Sequence, residues 1–183
     1  MRSKSTLISD SFRKRADSGA FFEAWVGAKL SRSNLFTVHH PFTLASETGN
    51  PMTFYAHSWD LDVSRDNRVF TPVEVKSVNL KFSFPNDYPH LGVLVCSDAS
   101  FQRKWPGKDA TQRDFLMVSR ETGGIVWLPK GSDTGITMMH DKSRNESYAC
   151  RTTHKSSLRD FAEFVAHINN MGQPWGEPSA EED

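Results

Sequence analysis

Hydrophobic and polar residues alternate in two short segments of the chain, residues 59–63 and 73–77. Successive side chains of a β-strand face opposite sides, so each segment predicts a strand with one polar and one apolar face. The polar residues between the segments favour a turn, and the whole stretch therefore predicts a β-hairpin. The polar faces of its two strands carry Asp60, Asp62, Glu74 and Lys76.

The register of this hairpin decides which acidic side chains meet. A loop of three or five residues centred on Asn67 sets Asp60 opposite Glu74, with Cβ atoms about 4.5–5.5 Å apart, so that a small cation fits between the carboxylates. A two-residue loop would instead reverse both faces. We predict the odd-numbered loop. It places Pro72 opposite Asp62 and indicates an edge or a bulge there, because proline has no N–H for the ladder.

A helix is predicted over residues 19–30, capped by Ser18, because apolar residues recur there at helical spacing. Glu23 is the exception, since the positions three and four residues away from it carry only glycine, alanine and valine. An ionised carboxylate on such a surface needs a cation, a lysine or a bound water as its partner. Glu23 is therefore a candidate site residue, and an exposed helical glutamate is the alternative.

The rest of the chain predicts an α/β fold. Short apolar runs at residues 91–96, 115–118 and 124–128 predict further strands, for a central sheet of five or six. Ser157 and Asp160 open a last helix that packs on the sheet. The apolar stripe of this helix consists of Leu158, Phe161, Phe164, Val165 and Ile168.

The order of these parts resembles the PD-(D/E)XK nuclease superfamily, in which a helical glutamate precedes a strand with an aspartate and a hairpin partner with Glu-x-Lys. The resemblance implies a restriction-endonuclease-like core, a mixed β-sheet flanked by helices. Trp59 stands where the superfamily's name has proline. The short single domain resembles Holliday-junction-resolving and phage-type members. The matching positions are Glu23, Asp60, Glu74 and Lys76.

Oxygen donors of this kind favour Mg²⁺, and Mn²⁺ is expected to substitute for it. Asp60 and Glu74 are the candidate metal ligands, with Asp62 as the alternative to Asp60. The resemblance implies that Lys76 orients or deprotonates an attacking water, and that Glu23 holds a metal, a water or Lys76.

The composition suits one globular domain, with 183 residues of which 37% are hydrophobic. The net charge is zero, so any attraction to nucleic acid must come from local basic patches. We expect a flexible basic arm over residues 1–16, one nuclease-like domain over 17–169 and an acidic flexible tail over 170–183. The candidate nucleic-acid contacts are Arg13, Lys14 and Arg15 in the arm, and Gln102, Arg103 and Lys104 in a loop predicted over 97–113.

The two cysteines, Cys96 and Cys150, form no Cys-x-x-Cys unit and imply neither a zinc ribbon nor a disulfide framework. A reducing cytoplasm is therefore the expected location. No apolar run approaches the roughly 18 residues that would span a membrane, and no secretory signal opens the sequence. DNA is the expected partner, and pairing into a homodimer is left open.

Three hypotheses on function remain. The first is a Mg²⁺-dependent nuclease that cuts DNA, acting as an endonuclease. The second is a catalytically inactive module of nuclease fold that binds nucleic acid or a protein. The third is a small protein-interaction domain whose hairpin is acidic by chance. Fold does not determine function, so the site residues must separate them.

Overall fold

The computed structural model of the chain describes residues 10–39, 43–44, 54–55, 59–141 and 145–171, with side chains over 19–38, 59–141 and 145–171. The elements follow the chain in the order α1 (Asp10–Arg32), β1 (Phe36–His39), β2 (Thr43–Leu44), β3 (Phe54–Tyr55), β4 (Leu61–Ser64), β5 (Thr71–Val78), β6 (Gly92–Ser97), α2 (Asp98–Lys104), β7 (Asp114–Ser119), β8 (Ile125–Leu128), β9 (Gly135–Asp141), β10 (Glu146–His154), β11 (Arg159–Asp160) and α3 (Phe161–Asn170).

Six of these strands form one mixed sheet in the order β1-β4-β5-β7-β8-β11. Strands β5 and β7 are parallel, and the other neighbours in this sheet are antiparallel. A parallel pair needs a long crossover, which here contains β6 and α2. The α/β fold with a mixed sheet of five or six strands flanked by helices is confirmed.

The sheet has an apolar core on each face, because successive side chains of each strand point to opposite faces. Leu61 and Val63 of β4 and Val73 of β5 pack on one side, together with residues of α1 and α3. The other side contains buried residues of β6 and α2, among them Val95 and Phe101. Polar residues of β5 that point away from α1 therefore lie beneath the β6–α2 crossover.

The β4–β5 hairpin has the predicted register, but its loop is longer than the predicted three or five residues, because the last pair before the turn joins Val63 to Thr71. Leu61 pairs with Val73, Asp62 with Pro72 and Val63 with Thr71, so the loop is centred on Asn67. Asn67 adopts a φ of 62°, a left-handed conformation that asparagine tolerates better than most residues.

The predicted edge or bulge at Pro72 is wrong, because β5 is an interior strand and its pairing with β4 continues through Pro72 without a break. Proline is tolerated there because the pairing of β5 with β7 begins only at the next residue, Val73.

A second sheet holds three antiparallel strands in the order β6-β10-β9. The strand predicted over residues 91–96 is present as β6, at Gly92–Ser97, but it belongs to this sheet and not to the central one. Strands β9 and β10 were not predicted. All but the last residue of β9 are exposed, so burial selects no apolar face on this strand.

Helix α1 is longer than predicted, and α2 was not predicted. Helix α1 begins at Asp10, so Ser18 lies inside it, and residues 10–16 of the expected arm have a helical backbone. No proline or glycine interrupts residues 10–18, so the local sequence permits the helix to begin earlier than Ser18. Residues 98–104, expected in a loop, form α2, where the Ser97 hydroxyl accepts a hydrogen bond from the Ser100 N–H at 3.3 Å.

Helix α3 starts later than predicted. Its N-cap is Asp160, whose backbone N–H donates to the Glu163 carboxylate at 3.2 Å. Phe164 and Ile168 are buried against the sheet, which confirms the apolar stripe as core, whereas Leu158 precedes the helix and packs on the opposite face of the sheet. None of the helices in the described part of the chain is long and apolar enough to cross a bilayer.

Candidate active site

Asp60 connects the two strands of the hairpin through its backbone and its side chain. Its backbone N–H donates to the Val73 carbonyl at 3.1 Å, although the strand partner of Val73 is Leu61. Its carboxylate Oδ2 accepts a hydrogen bond of 2.7 Å from the backbone N–H of Val75. Val75 lies between Glu74 and Lys76, so the acid of the first strand is bound to the centre of the Glu-x-Lys segment.

Glu74 lies on the face of β5 that is covered by α2. Both of its carboxylate oxygens are 2.9 Å from the Nζ of Lys104, the last residue of α2. The two side chains are 20% and 28% exposed, respectively, so this ion pair is only partly shielded from water. Lys104, which the sequence suggested as a nucleic-acid contact, is therefore part of the acidic site itself.

Lys76 extends from the same face towards β6, where its Nζ donates to the Val95 carbonyl. Burial lowers the pKa of Lys76, and the negative charge of Glu74 counteracts that shift. An ammonium with a lowered pKa gives up a proton more readily than a solvated lysine does.

Glu23 reaches the site from α1. Burial raises its pKa from 4.5 to about 7, and the negative charge of Asp60 adds to the rise. The pKa of Asp60 is raised from 3.8 to about 6, chiefly by burial and also by Glu74, while the hydrogen bond from Val75 opposes the shift. The charge of Asp60 thus acts on Glu23, and the charge of Glu74 acts on Asp60, which indicates that each of these neighbouring carboxylates lies near the next.

Asp62 occupies the next position on the same face of the first strand. It pairs with Pro72, whereas the hydrogen bond of Asp60 brings that carboxylate to the segment between Glu74 and Lys76. The geometry therefore favours Asp60 over Asp62 as the partner of Glu74.

Arg113 is a further candidate site residue, at the end of the loop that the sequence predicted over residues 97–113. Burial lowers the pKa of its guanidinium, and the charges of Glu74, Asp60 and Asp62 counteract that shift. It immediately precedes Asp114, which pairs with Val73 of β5. That parallel pairing brings Arg113 to the carboxylates. Parallel register leaves no local signal in a sequence, so the approach was not predictable.

The other predicted nucleic-acid contacts lie in α2 and α1. Arg103 is exposed on α2, and the Gln102 side chain accepts a hydrogen bond from the Gly107 N–H at 3.2 Å. Arg13, Lys14 and Arg15 lie in α1, but their side chains are outside the described residues. Residues 1–9 of the predicted arm and 172–183 of the predicted tail are also outside them.

The donor chemistry of the site suits a hard divalent cation. Asp60 and Glu74 offer carboxylate oxygens, and Mg²⁺ commonly takes one or two protein carboxylates while water and phosphate complete its shell. Over the ranges that the structure describes, no group of three or more His, Cys, Asp or Glu side chains is arranged to hold a metal ion. A cation here would find the carboxylates of Asp60 and Glu74, and its remaining ligands would have to come from water or phosphate.

No protein-family model matches the chain, and no curated protein does. A solved structure with a related course of the backbone is Hjc, a Holliday junction resolvase from the archaeal hyperthermophile Archaeoglobus fulgidus. The TM-score is 0.42 at 12% sequence identity, over 81% of this chain and 98% of that chain. A similarity of this degree does not carry a function from one protein to the other.

Proposed function

We propose that this protein is a metal-dependent nuclease of the PD-(D/E)XK type that hydrolyses phosphodiester bonds in DNA and acts as an endonuclease. The observation that supports it best is the hydrogen bond from the Val75 N–H to Asp60, which joins an aspartate to the Glu74-Val75-Lys76 segment. Mg²⁺ is the proposed cofactor, with Mn²⁺ able to replace it.

Asp60 and Glu74 would hold the ion through their carboxylate oxygens. When bound, a divalent cation supplies Lewis acidity towards the phosphoryl oxygens and lowers the pKa of a coordinated water. The carboxylates of the chain would hold that charge in place. Burial raises the pKa of Asp60, and the negative charge of Glu74 adds to the rise, so a cation would favour the ionised form of this carboxylate.

Lys76 would position the attacking water. The ammonium carries three hydrogens, one of which is donated to the Val95 carbonyl, and this contact orients the Nζ next to Glu74. Its lowered pKa suits a group that donates a hydrogen bond to water and stabilises negative charge on the phosphoryl group.

Glu23 would act as a proton acceptor at the edge of the site. A carboxyl group with a pKa of about 7 exchanges its proton near neutral pH, where a general base is most effective. It would therefore hold a water molecule by a hydrogen bond and accept a proton from it.

A second candidate function is a catalytically inactive module that binds nucleic acid or a protein. The ion pair between Glu74 and Lys104 favours it, because an ammonium already neutralises the carboxylate that would otherwise bind the cation. Such a module would retain DNA without cutting it.

Cleavage of supercoiled, linear, single-stranded and branched DNA with Mg²⁺ or Mn²⁺ separates the two candidates. We expect the native chain to cut at least one substrate, and Glu74→Gln and Lys76→Met to lose cleavage while still binding DNA in Ca²⁺. Glu121→Gln, at an exposed residue of the turn between β7 and β8, is the matched control and should cut normally. Retention of DNA with no metal-dependent cutting would contradict the nuclease and favour the inactive module. Sedimentation equilibrium on the same samples tests for a homodimer.

A further inference from the structure

Packing holds the helix that carries Lys104 in place. Phe101 is fully buried on the underside of α2, and Trp105 closes the helix with its N–H on the Phe101 carbonyl at 2.8 Å. At the other end, the Arg151 guanidinium donates to Asp98 at 2.6 Å. The base of the Lys104 side chain is therefore fixed above β5, and its ammonium reaches Glu74 from a defined position.

The contact between Lys104 and Glu74 is symmetric. The ammonium is 2.9 Å from each carboxylate oxygen, so it interacts with both oxygens that a metal ligand would offer. Burial raises the pKa of Asp60, and the positive charge of Lys104 opposes that rise and so acts on the second candidate ligand. In the metal-free protein, Lys104 thus supplies a unit of positive charge to both carboxylates.

We propose that Lys104 is a positioning residue with two alternative partners, the Glu74 carboxylate in the metal-free protein and a phosphate of bound nucleic acid when a divalent cation occupies Glu74. This inference rests on the proposed function. An ammonium and a divalent cation on the same carboxylate repel each other strongly at contact distance. The flexible four-carbon stem lets the lysine move away, and the nearest anion in a nuclease complex is the phosphate.

This exchange of partners, from Glu74 to a phosphate, predicts that Lys104 weakens metal binding in the absence of DNA. Lys104→Met removes the charge and keeps much of the apolar stem, so Mn²⁺ and Ca²⁺ should bind at least about tenfold more tightly than to the native chain. Isothermal titration calorimetry of the full chain without DNA measures this directly. Lys108→Met, at an exposed lysine four residues further on, is the matched control and should bind the metals as the native chain does.

The same variant should bind DNA less well. In Ca²⁺, which supports binding without cleavage in the proposed site, Lys104→Met should reduce the slope of log affinity against log salt by about one. Fluorescence anisotropy with a labelled duplex provides the measurement. An ion pair that only stabilises the fold would produce neither the tighter metal binding nor the smaller slope, and a denaturant unfolding curve confirms that the variant is folded.

The outcomes separate the inference from the function on which it rests. Metal affinity that is unchanged or weaker in Lys104→Met overturns the exchange while the nuclease proposal stands. Tighter metal binding with an unchanged salt slope overturns the phosphate as the second partner. If neither chain binds Mn²⁺ or Ca²⁺ at about millimolar metal, the proposed metal-dependent function fails together with the inference.

Discussion

The Arg113 guanidinium lies 4.5 Å from the centre of the Trp59 ring. The centre of the Trp105 ring lies 5.9 Å from the same guanidinium. Trp59 directly precedes Asp60, so the stacked arginine is held beside the first acid of the site. A guanidinium on an aromatic face is restricted in orientation and is well suited to bind phosphate through two parallel hydrogen bonds.

This arrangement predicts that Arg113 contributes to cleavage. Arg113→Ala should lower kcat by about 10²-fold, the effect of removing one preorganised donor from a transition state, and Arg113→Lys should restore only part of it. Steady-state kinetics give the kcat and KM separately. Arg68→Ala, an exposed arginine in the loop of the β4–β5 hairpin, is the control, and an equal loss there would contradict a specific role.

Asp60 and Asp62 should differ in their effect on metal binding. The two residues are about 7 Å apart along the strand, and only Asp60 is bound to the Val75 N–H. Asp60→Asn keeps an acceptor for that N–H but loses the charge, so its Mn²⁺ affinity should fall by about tenfold or more. Calorimetry on Asp62→Asn should show little change. The reverse ranking would make Asp62 the ligand.

The stability of the metal-free protein should depend on the ionisation of Glu23. Its pKa is about 7 in the folded chain and near the ordinary 4.5 when unfolded, so the folded state holds the proton more tightly in this interval. The free energy of unfolding contributed by Glu23 is highest below the unfolded pKa and is lost as the pH rises through the folded pKa. Urea unfolding in EDTA at pH values of about 5, 6, 7 and 8 should therefore show Glu23→Gln gaining stability over the native chain as the pH rises. A constant difference across this range would argue against the shifted pKa.

Arg151 should stabilise the fold by anchoring α2. It is 5% exposed, donates to Asp98 at 2.6 Å and to Asp109 at 3.1 Å, and lies over the Phe101 ring. Arg151→Met should cost roughly 1–3 kcal/mol, less than the removal of one partner from a fully buried pair, because both aspartates reach water. Chemical denaturation measures the loss. Lys155→Met on the neighbouring turn is the control, and an equal loss there would show that Arg151 has no special role.

The register of the hairpin could be predicted from the sequence, because neighbouring residues determine it. Alternation places the side chains on two faces, and a turn centred on Asn67 sets the register, so the pairing of Leu61 with Val73 follows from neighbouring residues. The same reasoning selected Glu23, because a carboxylate on a small, apolar helix face is conspicuous by itself.

The helix in the crossover between β5 and β7 could not be predicted from neighbouring residues. Residues 98–104 lie among prolines and basic residues that suggest a loop, yet Phe101, Trp105 and the Arg151 contact make them a helix. Strands β9 and β10 were missed because six of the seven residues of β9 are exposed and the buried residues of β10 include the polar Arg151 and Thr153, so burial marks neither strand by an apolar period.

The order of side chains along the chain thus determined by itself which acids and which lysine could share a face, since strand and helix periods depend only on neighbouring residues. Only the tertiary structure decided that Lys104 pairs with Glu74 and that Arg113 approaches the carboxylates. Both contacts join residues 30 or more positions apart, and the packing of separate elements, not local geometry, determines such distances.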